Sequence, residues 1–97
     1  MRSIELKFDK SQTRLAGFPY GEKTFKNQVK KHIQNGDSQT SCYKIIFPVQ
    51  IEKVASSFVQ GFFSELINSI GYEEIERQII IEASNDILTK KIIENIY

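Results

Sequence analysis

The residue types that most often carry chemistry are few in this chain and scattered. His32 is the single histidine and lies among Lys30, Lys31 and Gln34. General-base work needs a neighbouring nucleophile and a group that orients the base. Nothing local supplies either, so His32 reads as a solvated helix-face residue. Cys42 is the single cysteine and opens an apolar run, where a lone thiol behaves as a small buried hydrophobe. One thiol closes no internal disulfide and builds no zinc site. A Cys42–His32 pair stays open at this level. Glu73, Glu74 and Glu76 cluster after Gly71. Paired acids can serve proton transfer or hold a metal, but this trio reads as a wet, charged turn. Gly17 and Gly21 are too sparse for a phosphate-cradling loop, and no Lys-Ser/Thr pair directly abuts Gly21. The expectation is a protein with no catalytic residues, no metal and no cofactor.

Two constellations point to binding. Lys23, Lys26, Lys30 and Lys31 gather on one basic segment, with Tyr20 and Phe25 as the nearest aromatics. Such a segment can hold phosphates by releasing counterions, although lysines on a surface helix are commonplace and nucleic acid is disfavoured as the partner. The pair Ser56-Ser57 stands at the junction of a strand-exit loop and the most apolar helix. Free backbone N–H groups and the helix dipole favour negative charge there. A phosphate on either serine would add about −1.5 to −2 charges to that surface. The plain alternative is that Ser56 or Ser57 caps the helix.

The elements that must position these groups follow from periodicity. Residues 2–8 alternate, with Ile4, Leu6 and Phe8 on one face, and predict a strand. A short second strand is expected over 13–16. Residues 17–21 contain one proline and two glycines and predict a loop. Phe25, Val29 and Ile33 form a stripe on a helix over 22–34 that Gly36 stops. The nearly continuous apolar run 42–47 predicts a central strand covered on both faces, with Pro48 at its margin. Phe58, Val59, Phe62, Phe63, Leu66, Ile67 and Ile70 build one broad stripe on a helix over 56–70. Gly71 closes that helix, and a helical turn follows over 72–77. Residues 78–82 predict a strand buried on both faces through Ile79, Ile80 and Ile81. The last helix spans 85–96 with Ile87, Leu88, Ile92 and Ile96 inward, capped by Ser84 or Asn85. The strand–helix–strand centre predicts parallel pairing through a right-handed crossover.

Bulk composition narrows the function classes. At 97 residues the chain forms one domain, 1–97. Its 40% apolar and 26% charged residues are ordinary for a globular fold and argue against disorder. A net charge of +1 gives no strong pull toward DNA, RNA or anionic lipid. The single cysteine suits a reducing cytoplasm. The first nine residues carry no signal-peptide pattern, and no apolar run approaches the roughly 20 residues that span a bilayer.

The stretch from Lys44 to Phe58 resembles the core of the STAS-like domains, small bacterial domains distantly related to anti-sigma-factor antagonists. In that family a hydrophobic strand ends in Asp-Phe, a Gly-Val follows, and a run of serines leads into Phe and an apolar helix. Ser56, Ser57 and Phe58 match the serine run, and Ile51 and Val54 match apolar positions. Gly71, the acidic turn and residues 78–82 match the helix end and next strand, and residues 21–25 look like the family's lead-in to the first helix. The chain departs at Phe47, where the family often has Asp, at Gln50, where it has Gly, and at Ala55, where it has a further Ser. If Asp and Gly shape a recognition loop in the family, that loop is altered here.

The resemblance implies an α/β fold with a mixed sheet of about four strands covered by helices. It also implies a regulatory protein-interaction module, with Ser57 as the phosphorylation position and Ser56 as second choice. The partner-binding surface would comprise Val49, Gln50, Glu52, Lys53, Ala55 and Ser56. Relatives often accompany histidine-kinase-like ATPases, so the implied partner is such an ATPase or another regulator. Two other readings stay open: a small phage or mobile-element inhibitor that blocks a host nuclease or defence complex, and nucleic-acid binding through Lys23, Lys26, Lys30 and Lys31. A homodimer through the C-terminal helix, with Ile87, Ile93 and Ile96 at issue, is also open.

Overall fold

A computed structural model describes residues 2–34 and 42–97. The elements run β1 (Arg2–Glu5), β2 (Arg14–Leu15), α1 (Phe18–Gln28), α2 (Lys30–Gln34), β3 (Tyr43–Ile46), β4 (Lys53–Val54), α3 (Ser56–Gln78), β5 (Ile79–Glu82) and α4 (Asp86–Ile96). The expected helix stop at Gly36 lies outside the described residues.

Among the described residues the strands divide three and two, and every pairing is parallel. β3 is central, between β1 and β5, and β2 pairs only with β4. The expected single mixed sheet of about four strands is therefore replaced by two small parallel ladders. The cause lies after Phe47. Pro48 carries no N–H for a ladder, and Ile51 N–H closes a turn onto the Pro48 carbonyl at 3.0 Å. The chain then leaves the main sheet. Glu52 N–H bonds the Thr13 carbonyl at 2.7 Å and Ala55 N–H the Leu15 carbonyl at 2.8 Å, which draws β4 onto β2.

Among the described residues, only one face of the main sheet is covered. Ile4, Tyr43, Ile45, Ile79 and Ile81 are buried in a single core with α1, α3 and α4. On the other face Ser3, Lys44 and Ile80 lie in one row, and Glu5, Ile46 and Glu82 in the next. Ile80 is 42% exposed, and Lys44 pairs with Glu82 at 2.7 Å. The expected two-sided burial of residues 42–47 and 78–82 is thus corrected to one-sided burial. Both crossovers step the same way, β1 to β3 to β5. With the right hand that such connections favour, both carry their helices to the same side.

α1 begins earlier than its apolar stripe suggests. Gly17 is its N-cap, Pro19 lies in its first turn, and residues 18–21 are helical rather than a loop. Proline suits a first turn because its missing N–H would have no helical partner there. Gly17 has φ 99°, a backbone that an L side chain rarely adopts. Gly21 belongs to the helix interior, where it meets α3: a Cβ there would lie 2.2 Å from the Phe58 carbonyl oxygen. Gly61 repeats the contact from the other side, 2.1 Å from the Phe18 carbonyl oxygen. The two helices therefore cross with backbones in near contact.

Phe62 is the centre of the core. Its ring lies 4.9 Å from that of Phe63, 5.7 Å from Phe25, 5.9 Å from Phe58 and 6.2 Å from Phe47, between centroids. Gly71 interrupts α3 with φ 80°, so the expected helix end and the following helical turn are both present. Asn85 caps α4 by accepting a hydrogen bond from Leu88 N–H at 2.8 Å, as expected. Leu88, Ile92 and Ile96 face inward at every fourth position, but Ile87 is 75% exposed. Ile87 sits one residue, about 100° of helix turn, off that stripe, so its expected inward orientation is corrected. No described helix is long and apolar enough to cross a membrane.

Candidate functional site

The parallel β2–β4 ladder sets two strand–helix junctions side by side. β2 runs through Ala16 and Gly17 into α1, and β4 runs through Ala55 into α3. Neither serine caps α3. Its N-cap is Ala55, whose side chain offers no acceptor, and Ser56 and Ser57 occupy the first helical turn. The expected serine cap is therefore corrected. The Ser57 hydroxyl instead accepts a hydrogen bond from Gly17 N–H at 3.0 Å, joining the start of α3 to the start of α1. Ser57 is half-buried by that contact, and Ser56 is exposed.

The other expected partner-binding residues surround this junction. Val49 is 85% exposed at the turn after β3. Gln50 is not free in the same way: its side-chain amide donates to the Gln12 carbonyl at 3.1 Å and also bonds the Asp9 carbonyl. It thus fastens the turn to the connection between β1 and β2, at the position where the resemblance would place glycine. Glu52 and Lys53 are exposed, and Ala55 is half-buried.

Glu52, Lys53 and Ala55 also line a groove of about 590 Å³ between the β2–β4 ladder and the start of α4. Leu15, Val54 and Leu88 give it an apolar lining. Arg14, Lys53 and Lys91 bring three cations to it, against one carboxylate, Glu52. Ile87 belongs to the same wall. Ser84 Oγ donates to the Ile51 carbonyl at 3.4 Å, and Ala83 N–H donates to Thr89 Oγ1 at 3.0 Å. The first bond ties the turn before α4 to the strand-exit loop, and the second ties the end of β5 to α4.

Sequence reasoning placed Glu52, Lys53 and Ala55 at a binding surface and Ile87 either inward or at a subunit contact, but missed Arg14 and Lys91. Only the outlying isoleucine carried a usable signal. Its offset from the 88–92–96 stripe marks it as an apolar side chain left in water. Arg14 and Lys91 are ordinary surface cations until the fold brings β2 and α4 together.

The remaining candidates do not assemble. Lys23, Lys26 and Lys31 are exposed, and Lys30 is paired with Glu65 at 2.8 Å. His32 is exposed on α2. Cys42 Sγ is 3.8 Å from the Arg77 carbonyl oxygen. Glu74 pairs with Arg77 at 3.0 Å and accepts from Gln78 at 2.7 Å, while Glu73 and Glu76 face solvent. Among the described residues no group of three or more histidines, cysteines and carboxylates is placed to hold a metal ion. The phenol of Tyr97 is held above its ordinary pKa, first by partial burial and then by the charge of Glu76. Comparison with protein families, curated proteins and solved structures finds no match to the chain.

Proposed function

We propose that this chain is a STAS-like regulatory module that works by docking a protein partner, with no chemistry of its own. The docking surface is the strand-exit loop with the first turn of α3, formed by Val49, Gln50, Glu52, Lys53, Ala55 and Ser56. The observation that carries the reading is the groove beside this surface, shaped by Glu52, Lys53 and Ala55 and edged by the exposed Ile87. Exposed apolar side chains beside a concave surface mark interaction sites more often than isolated ones do. The partner class that the resemblance suggests is a kinase-like ATPase or another regulator.

Serine modification is the proposed switch. A phosphate on Ser57 would enter between the starts of α1 and α3, where the hydroxyl now holds Gly17 N–H. Both helix dipoles favour negative charge there, so the fold tolerates the modification while the docking surface gains charge. Ser56 is the more accessible of the two hydroxyls.

A tagged pull-down from native cells, with mass spectrometry of the partner and of both serines, tests this. Ser57→Asp is expected to weaken partner binding and Ser57→Ala to preserve it. Equal binding by both, with neither serine modified in cells, would leave Ser57 as a structural tie between two helices.

A further inference from the structure

We infer that the groove between the β2–β4 ladder and α4 receives an acidic, extended protein segment that inserts one apolar side chain. The inference rests on the docking function proposed above and specifies the chemistry of the partner.

The charge is local. The whole chain carries a net charge of +1, yet Arg14, Lys53 and Lys91 converge on one opening that holds a single carboxylate, Glu52. They come from β2, β4 and α4, so only the tertiary fold assembles them. Among the described residues no ion pair engages any of the three. Cations gathered this way attract and orient an anionic partner.

The lining decides what kind of anion fits. Leu15, Val54 and Leu88 make the groove apolar below its charged rim. Among the described residues no aromatic ring lines it, so bases would find no stacking platform of the kind that single-stranded nucleic acid uses. An aliphatic side chain fits such a lining. Ile87, 75% exposed on the same wall, extends apolar surface out of the groove. An occupant that covers it must reach past the groove, as a chain segment does and a compact small acid does not. Carboxylates flanking one leucine-like anchor would meet the cations on either side.

The probe is a synthetic ten-residue peptide of aspartates and glutamates around a central leucine. It is titrated into the full chain and followed by amide chemical shifts. Three controls accompany it: the Asn/Gln counterpart, the peptide with alanine for the leucine, and a ten-nucleotide oligothymidylate. The acidic leucine peptide is expected to shift residues 14–16, 52–55 and 87–91. Both altered peptides are expected to bind at least tenfold more weakly. The double variant Lys53→Glu, Lys91→Glu is expected to lose at least tenfold in affinity for the acidic peptide while keeping the wild-type melting temperature.

Shifts confined to other surfaces, no saturable binding, or full affinity in the double variant would overturn the inference. Equal shifts from oligothymidylate at the same residues would show a phosphate-binding face instead. The two readings fail separately. A cellular partner still bound by the double variant refutes the acidic segment and leaves the docking function. Peptide binding at the groove with no cellular partner refutes the regulatory function and leaves the groove chemistry.

Discussion

The α1–α3 crossing and the groove beside α4 are built in opposite ways. At the crossing, backbone meets backbone: Gly21 and Gly61 face carbonyl groups that a Cβ would strike. Around it, five phenylalanines fill the space between the helices and β3. At the groove, exposed charged side chains stand beside an apolar lining, and a few turn hydrogen bonds join the neighbouring elements. The crossing has no room for change and carries stability. The groove's charged residues have room and carry little stability, so they can vary at small cost to the fold, whereas Leu15 and Leu88 in its lining belong to the core. Tight packing and free surface are separated by one turn of α3, with Ser57 between them.

Substitutions at the two regions should separate along this line. The largest loss is expected for Phe62→Ala, about 4 kcal/mol by analogy with other buried aromatics. For a chain of this size that is a large part of a total near 5–15 kcal/mol, and urea unfolding should show the midpoint falling sharply. Gly61→Ala follows, at about 3 kcal/mol, near the top of the usual overpacking range because the obstacle is backbone rather than a movable side chain. A loss below half of that would mean the helices part easily, and the contrast between the regions would weaken.

At the groove end the effects shrink. Asn85→Ala removes the cap of α4 and is expected to cost about 1 kcal/mol, seen as a lower melting temperature. The double variant Lys53→Glu, Lys91→Glu should stay within about 0.5 kcal/mol of the parent, as exposed substitutions usually do. A larger loss there would show that the cations support the fold as well as the surface.

Much of the local structure was legible beforehand, and the reasons are local. The alternation of Ile4, Leu6 and Phe8, the α3 stripe, the break at Gly71 and the cap at Asn85 each depend on residues within a turn or two of one another. The misreadings share a different origin. Residues 18–21 looked like a loop because glycine and proline usually break structure. Proline belongs in a first helical turn, and Gly21 is required by the close approach of the Phe58 carbonyl on α3. Ser57 looked like a cap because serine commonly caps helices, but its hydroxyl answers a donor on α1. Ile79, Ile80 and Ile81 looked buried on both faces because β-branched runs often are. Composition does not say which side the helices take.

The candidate site was legible only in its contiguous part. Glu52, Lys53 and Ala55 fell on a strand-exit loop before an apolar helix, a position with a recognisable signature. Arg14, Ile87 and Lys91 join them through the pairing of β2 with β4 and the docking of α4. Sequence alone determined most of the succession of strands and helices, though not β4 or the break between α1 and α2, because short-range periodicity, capping and turn chemistry act within a few residues. The three-dimensional fold decided the split into two parallel ladders, the open sheet face, the near-contact of α1 with α3 and the convergence of three cations. Each of these depends on atoms far apart in the chain whose meeting is set by packing, and packing leaves no periodic trace in the order of residues.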